Sequence, residues 1–166
     1  GELTATVTLA FTGVTFGTTL GVAINTTHAP VDATVAVGGD TLSVVLPAGP
    51  YVRVQALDTT ATILGQTLSG NFIFEQSTNP DDGNRIVRFA ATDVSLNIVA
   101  GTTTVVSLTH GQGSLVATIA GLAGVVSGTI TIGVPGGGAA FTGDFALAIN
   151  QTDAAIEEQI EVGDSV

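Results

Sequence analysis

The sequence predicts an all-β protein: an antiparallel β-sandwich, or a curled, solenoid-like sheet, built from tandem repeats of about 125 residues. Three observations predict it. Apolar residues make up 45% of the chain, yet they are mostly Val, Ile, Leu and Ala interleaved with Thr, the residue types that suit a pleated surface. The chain breaks into short alternating runs separated by turn residues. A block near the start also recurs near the end.

The runs come in order. Thr4 to Leu9 alternates cleanly, with Ala5, Val7 and Leu9 on one face and Thr on the other. Leu20 to Ile24 follows and closes on Asn25-Thr26-Thr27. Thr34 to Val37 turns through Gly38-Gly39-Asp40 into Thr41 to Leu46. Pro47-Ala48-Gly49-Pro50 then breaks the chain before Tyr51 to Leu57, where Val52, Val54 and Ala56 share a face. Thr60 to Leu64, a Gly65-Gln66 turn and Thr67 to Glu75 come next. The polar loop Asn79-Pro80-Asp81-Asp82-Gly83-Asn84 suits a hairpin joining Phe72-Ile73-Phe74 to Ile86-Val87-Arg88-Phe89. Val94 to Ile98, Thr103 to Leu108, a His110-Gly111-Gln112-Gly113 turn, Leu115 to Ile119, Val125 to Val134, Phe145 to Ile149 and Ile156 to Val162 complete a set of a dozen or more strands. Ala154 to Ile160 has a helical look, but its earlier counterpart reads as turn and strand.

That counterpart is the repeat. Gly21 through Gly38 matches Ala146 through Gly163 without a gap, at the spacing that carries Asn25 to Asn150. Most unlike pairs keep their character, as Val31 and Ile156 or Asp32 and Glu157 do. The preceding strand recurs too: Thr6-Val7-Thr8-Leu9 answers to Thr129-Ile130-Thr131-Ile132, with two extra residues taken up near Gly136-Gly137-Gly138. The division that follows is residues 1–125 as one repeat and 126–166 as the start of the next, whose strands complete the sheet of the first. A shorter theme, an apolar residue then Ser or Thr then Gly, runs through Leu68-Ser69-Gly70, Val126-Ser127-Gly128 and Phe141-Thr142-Gly143. Gly within a strand marks a bulge or a close approach of backbone.

Gly21–Asp32, Leu46–Val54 and Gly65–Glu75 together resemble the tandem repeats of very long bacterial surface or secreted proteins, of adhesin-like or haemolysin-type organisation. The resemblance implies a repeat architecture at the cell surface or outside the cell. It implies no activity, and the Asp-rich nonapeptides by which many such proteins hold calcium are missing.

Charge narrows the partners. Lys is absent, the three basic residues are Arg53, Arg85 and Arg88, and the net charge is −11. Nucleic acid, whose phosphates require cations, is disfavoured as a partner, as is an anionic lipid surface. One Tyr, no Trp and seven scattered Phe make no aromatic girdle, so membrane insertion is not expected. Without cysteine there is no disulfide framework and no thiolate metal site.

Reactive chemistry is sparse. His110 precedes Gly, where a tight hairpin is expected, and His28 is replaced by Asp153 in the second copy, so neither reads as catalytic. No nucleophile elbow and no phosphate loop occurs. Glu75, Asp81 and Asp82 lie close in sequence, but a polar hairpin tip accounts for them better than paired catalytic carboxylates. Asp81, Asp82 and Asn84 are the calcium candidates, since calcium takes clustered oxygens; the loop lacks the alternating acids and closing Glu of an EF-hand. Asn25-Thr26-Thr27 and Asn150-Gln151-Thr152 are sequons that in a bacterial protein read as turn formers. The expectation is therefore a cofactor-free, non-enzymatic structural repeat of an extracellular bacterial adhesive or filament-forming protein. Its partners would be neighbouring repeats or identical subunits joined by strand pairing, and surface glycans; a glycan- or calcium-binding β module is the alternative.

Overall fold

The computed structural model describes residues 1–11, 14–80, 82–134 and 139–155. Among them are ten strands and no helix: β1 (Glu2–Phe11), β2 (Val14–Asn25), β3 (Val31–Val37), β4 (Asp40–Leu46), β5 (Tyr51–Ile63), β6 (Gln66–Thr78), β7 (Arg85–Ala100), β8 (Thr103–Thr118), β9 (Gly121–Gly133) and β10 (Ala140–Asn150). Eight form one antiparallel sheet in the order β1-β2-β5-β6-β7-β8-β9-β10. β3 and β4 leave it as a separate hairpin between β2 and β5. The sheet is open: its edge strands β1 and β10 do not pair with each other. The expected all-β, antiparallel class is thus present as a one-layer meander. No second sheet stacks on it among the described residues beyond the small hairpin.

Turn chemistry sets the connections. Gly38 and Gly39, with φ of 59° and 99°, join β3 to β4 through two left-handed residues, as a tight hairpin whose twist matches its strands requires. Leu64 and Gly65 do the same between β5 and β6, one residue earlier than the Gly65-Gln66 turn expected. The Asn79–Asn84 loop closes on itself (Asn79 N–H to Asn84 O, 2.8 Å) and joins β6 to β7 as the expected hairpin, with Phe74 opposite Phe89.

Three expected breaks are no breaks. Apart from Leu64 and Ile119, which fall in turns, Tyr51–Leu57 and Thr60–Leu64 belong to the single strand β5, Ile86–Phe89 and Val94–Ile98 to β7, and Thr103–Leu108 and Leu115–Ile119 to β8. Each strand carries an inserted residue instead, at Leu57-Asp58, Thr92-Asp93 and Thr109-His110. Asp58, Asp93 and His110 have φ of 50°, 54° and 52°, the left-handed region that Asp and His enter more readily than most residues. His110 is therefore a bulge residue and no hairpin turn. The expected strand Ile156–Val162 and the glycine loop at Gly136–Gly138 lie outside the described residues.

The bulges have a single effect on side-chain direction. An extra residue switches which face the following alternation serves. Along β5 the apolar positions are Val52, Val54 and Ala56, then Ala61; along β7 they are Val87, Phe89 and Ala91, then Val94, Leu96 and Ile98. The change of parity keeps them all on one side. Two cross-strand rows show the result: Ala5–Leu20–Ala56–Phe72–Ala91–Gly113–Val126–Leu147, and Leu3–Val22–Val54–Phe74–Phe89–Leu115–Gly124–Ile149. Gly70 and Gly128, from the Ser-Gly theme, stand opposite the β7 and β8 bulges, where a Cβ on Gly70 would meet Val94 at 3.1 Å. Asn71 ties two bulges together, accepting from Asp58 N–H (2.9 Å) and donating to Asp93 Oδ2 (3.2 Å).

Burial concentrates on the other face. Its central row runs Gly21–Gln55–Ile73–Ala90–Ser114, and Ile73 at 1% exposure is its largest fully buried side chain. At one end Leu46, Val31 and Val44 of the small hairpin pack on Ala23 and Tyr51. Replacing Ile73 by Ala removes three carbons from a site with little room to collapse, so urea unfolding should show a loss of about 2–4 kcal/mol. A loss under about 0.5 kcal/mol would mean that this face is not packed as described.

Candidate functional site

The polar face carries a cluster that sequence reading missed. Along one cross-strand row stand Glu2, Ala23, Arg53, Glu75, Arg88, Val116, Ala123 and Asn150. Glu75 on β6 is flanked by arginines on β5 and β7. Arg88 donates to Glu75 Oε1 (3.3 Å) and to Ser77 Oγ (2.7 Å), while Tyr51 Oη–H donates to Glu75 Oε2 (3.1 Å). Arg53 reaches Gln55 Oε1 at 3.4 Å. Both carboxylate oxygens are thus engaged. The cluster locks β5, β6 and β7 in register. The Asn79–Asn84 hairpin already implied it, because counting outward from that loop places Glu75 opposite Arg88.

Burial, and then the Glu75 carboxylate beside it, push the Tyr51 hydroxyl up to about 12. A phenol so placed is neutral and serves as a donor at ordinary pH.

The expected site residues are scattered. Asp82 is fully exposed and caps its own turn through Asn84 N–H (2.9 Å), a bond that holds its carboxyl below the usual range. Asn84 contributes backbone to the loop closure. Asp81 lies outside the described residues. Among the described residues no three His, Cys, Asp or Glu side chains gather as a metal site would need. His28 and His110 are exposed and far apart in the topology.

The two sequons are the same turn built twice. Asn25 Nδ2 donates to Ala29 O (2.9 Å), and Asn25 Oδ1 accepts from Thr27 N–H (2.9 Å) and Thr27 Oγ1 (2.8 Å), the latter also donating to Ala29 O. Asn150 donates to Ala154 O (2.9 Å), accepts from Thr152 N–H (2.9 Å) and Thr152 Oγ1 (2.7 Å), and Thr152 Oγ1 donates to Ala154 O. The strand pairing matches too. Thr6 and Thr8 of β1 face Thr19 and Gly17 of β2, and their counterparts Thr129 and Thr131 of β9 face Asp144 and Thr142 of β10.

The surroundings of the two turns differ. Asn25 is 3% exposed, because Nδ2 also donates to Pro47 O (2.6 Å), Gly49 N–H donates to Thr27 O (2.7 Å), and β5 runs alongside β2. Asn150 is exposed, and among the described residues nothing flanks β10 on its outer side.

The apolar face is open as well. Apart from Arg85 at the rim where β7 begins, it carries no charged residue among the described residues, yet Phe74, Phe89 and Leu147 keep 42%, 39% and 53% of their surface exposed. A depression of about 210 Å³ on it is lined chiefly by Phe72, Phe89, Leu108, Leu115, Val126 and Phe145. The chain exposes 10319 Å², where a compact monomer of its size exposes about 7,500 Å². The excess is of the order of a sizeable protein interface.

Compared with known protein families, curated proteins and solved structures, the chain matches none.

Tyr51 is the sole tyrosine and there is no tryptophan, so its ionisation is directly visible in the ultraviolet. The phenolate should form with a midpoint near 12, and Glu75→Gln should lower the midpoint while leaving it above the ordinary value of about 10, since burial is the larger cause. The folded value lies above the unfolded one. This contribution to stability is therefore complete below about pH 10 and lost as pH rises towards 12. A midpoint near 10 in the folded chain would contradict the buried contact.

Proposed function

We propose that this chain is a non-enzymatic structural repeat of an extracellular bacterial protein, of adhesive or filament-forming kind, joined to neighbouring repeats or identical subunits by strand pairing. The observation that carries this reading is the recurrence of one hairpin and its Asn turn, with the same register and the same four side-chain hydrogen bonds, at both ends of the sheet. What recurs is shape; His28 gives way to Asp153 while the turn bonds persist. On this reading residues 1–125 form one repeat and 126–166 begin the next. A repeat architecture also gives the open sheet its neighbours, since a unit that cannot cover its own apolar face does so by stacking on others.

The test is assembly. Sedimentation of the full chain over rising concentration should show growing, end-joined oligomers, and deleting residues 141–166 should lower the melting temperature or abolish assembly. A truncated chain that melts unchanged and assembles as before would refute strand completion. A full chain that stays monomeric throughout would refute the structural reading as a whole.

A further inference from the structure

Among the described residues β10 is a long edge with nothing in its own sequence to deter pairing: it contains no proline and a single charge, Asp144. Natural edges are usually blunted by such residues. The identity of what belongs there follows from the other hairpin. β10 corresponds to β2, and the outer side of β2 is occupied by β5, preceded by the Pro47–Pro50 segment that clasps the Asn25 turn.

We propose that the outer edge of β10 and the Asn150 turn form an acceptor for the Leu46–Ile63 segment of a second copy of this chain, seated as β5 and its lead-in sit on β2. The proposal rests on the structural-repeat reading and names the partner segment and its register. Transferring the β2 pairings places Asn150 opposite the second copy's Tyr51, Ala148 opposite its Arg53, Leu147 opposite its Val54 and Ala146 opposite its Gln55. The turn is preformed for the clasp. Asn150 Nδ2 makes one bond, to Ala154 O, which leaves its second N–H for the carbonyl of Pro47, and the Thr152 carbonyl stands where Thr27 accepts from Gly49. The approach at that point admits only glycine: a Cβ on Gly49 would fall 2.0 Å from Asn25 O.

One position differs in a way that sets the balance. At Gly21 an added Cβ would come within 2.7 Å of Gln55 Cγ, and Ala146 puts a methyl group there. Gln55 must turn its side chain to pair with β10, so the segment prefers its own β2. Donation by a second copy also requires its β1–β2 hairpin to lift away from β5, and the strand pairing lost there is regained at β10. The exchange conserves the kind of bonds made and is driven by concentration.

The absence of cysteine makes the register readable by disulfide trapping. Directly opposed residues of antiparallel strands lie within the Cα separation that a disulfide spans. The intact chain carrying Ala148→Cys is mixed with the synthetic peptide Leu46–Ile63 carrying Arg53→Cys, and with the peptide carrying Val52→Cys instead. Leu147→Cys with Val54→Cys repeats the pairing one step along. Cross-linking at the matched positions should exceed the mismatched pair, and the β1-edge control Thr4→Cys, by roughly tenfold. Adding Gly49→Ala to the peptide should abolish it, and Gln55→Ala should raise the yield several-fold. Equal yields at all positions, a preference for β1, or indifference to Gly49→Ala would overturn the proposal. Absence of trapping in a chain that still assembles would overturn this acceptor and leave the repeat reading standing; absence of both would remove the two together.

Discussion

A sheet one layer thick holds together sideways. Its cohesion lies in the strand-to-strand ladder and in cross-strand side-chain pairs, because there is no facing layer to bury its apolar side. Everything else in this chain follows from that constraint. The eight strands are joined almost wholly by short local hairpins, so each strand finds its neighbour next in sequence. The pairs that lock the register are polar ones on the more buried face: Tyr51, Glu75 and Arg88 at one end, Ser69 with Ser95 (2.7 Å) and Thr131 with Thr142 (2.9 Å) at the other. The opposite face contributes little to the isolated chain, and its Phe74 and Phe89 keep 42% and 39% of their surface in solvent.

The bulges show that the apolar face is nonetheless a specified feature. Strands as long as β7 and β8 hold one alternation only if nothing is inserted, and each insertion would throw half the strand's apolar residues to the wrong side. Here the sequence pattern changes phase at each inserted residue, so the insertion and the phase change cancel. Left-handed residues carry a conformational cost, and Asp58, Asp93 and His110 occupy such positions in a line across the sheet. A protein indifferent to which side its Val, Leu and Phe residues face would need none of this. The charge distribution agrees: outside the β3–β4 hairpin, the described acidic residues sit on the polar face, on the bulges or in turns.

Much of this was legible in the sequence, and the rest was hidden for identifiable reasons. The alternation of Val52, Val54 and Ala56 correctly placed the faces, and the Asn79–Asn84 loop correctly joined its strands. The same alternation misled at the bulges, since a change of phase around Asp58, Asp93 and His110-Gly111 looks like a strand ending at a turn. The left-handed backbone that a hairpin uses is also what a bulge uses, so His110 before Gly satisfied both. Glu75 opposite Arg88 was implied by counting from the hairpin loop. Arg53 and Tyr51 on the other side of Glu75 were not, because a bulged strand gives no register in advance. Whether a second layer would cover the sheet was beyond alternation altogether: a half-buried strand reads the same in a sandwich and in a single curled sheet.

The two Asn turns connect this architecture to the assembly proposed for it. Their hydrogen bonds are made within five residues, so the turn forms without help from the partner segment and is identical whether clasped or open. An acceptor that is already in its bound conformation loses little entropy when a strand arrives. The clasped copy also shows how much the arrival adds: Asn25 becomes buried, gains an acceptor in the Pro47 carbonyl and secures Gly49 against Thr27. A unit of this kind has one end satisfied and one end waiting, with the same chemistry at both. In the proposed assembly the waiting end of one copy takes the segment freed when the satisfied end of another opens, a directional step that repeats as an extended array requires.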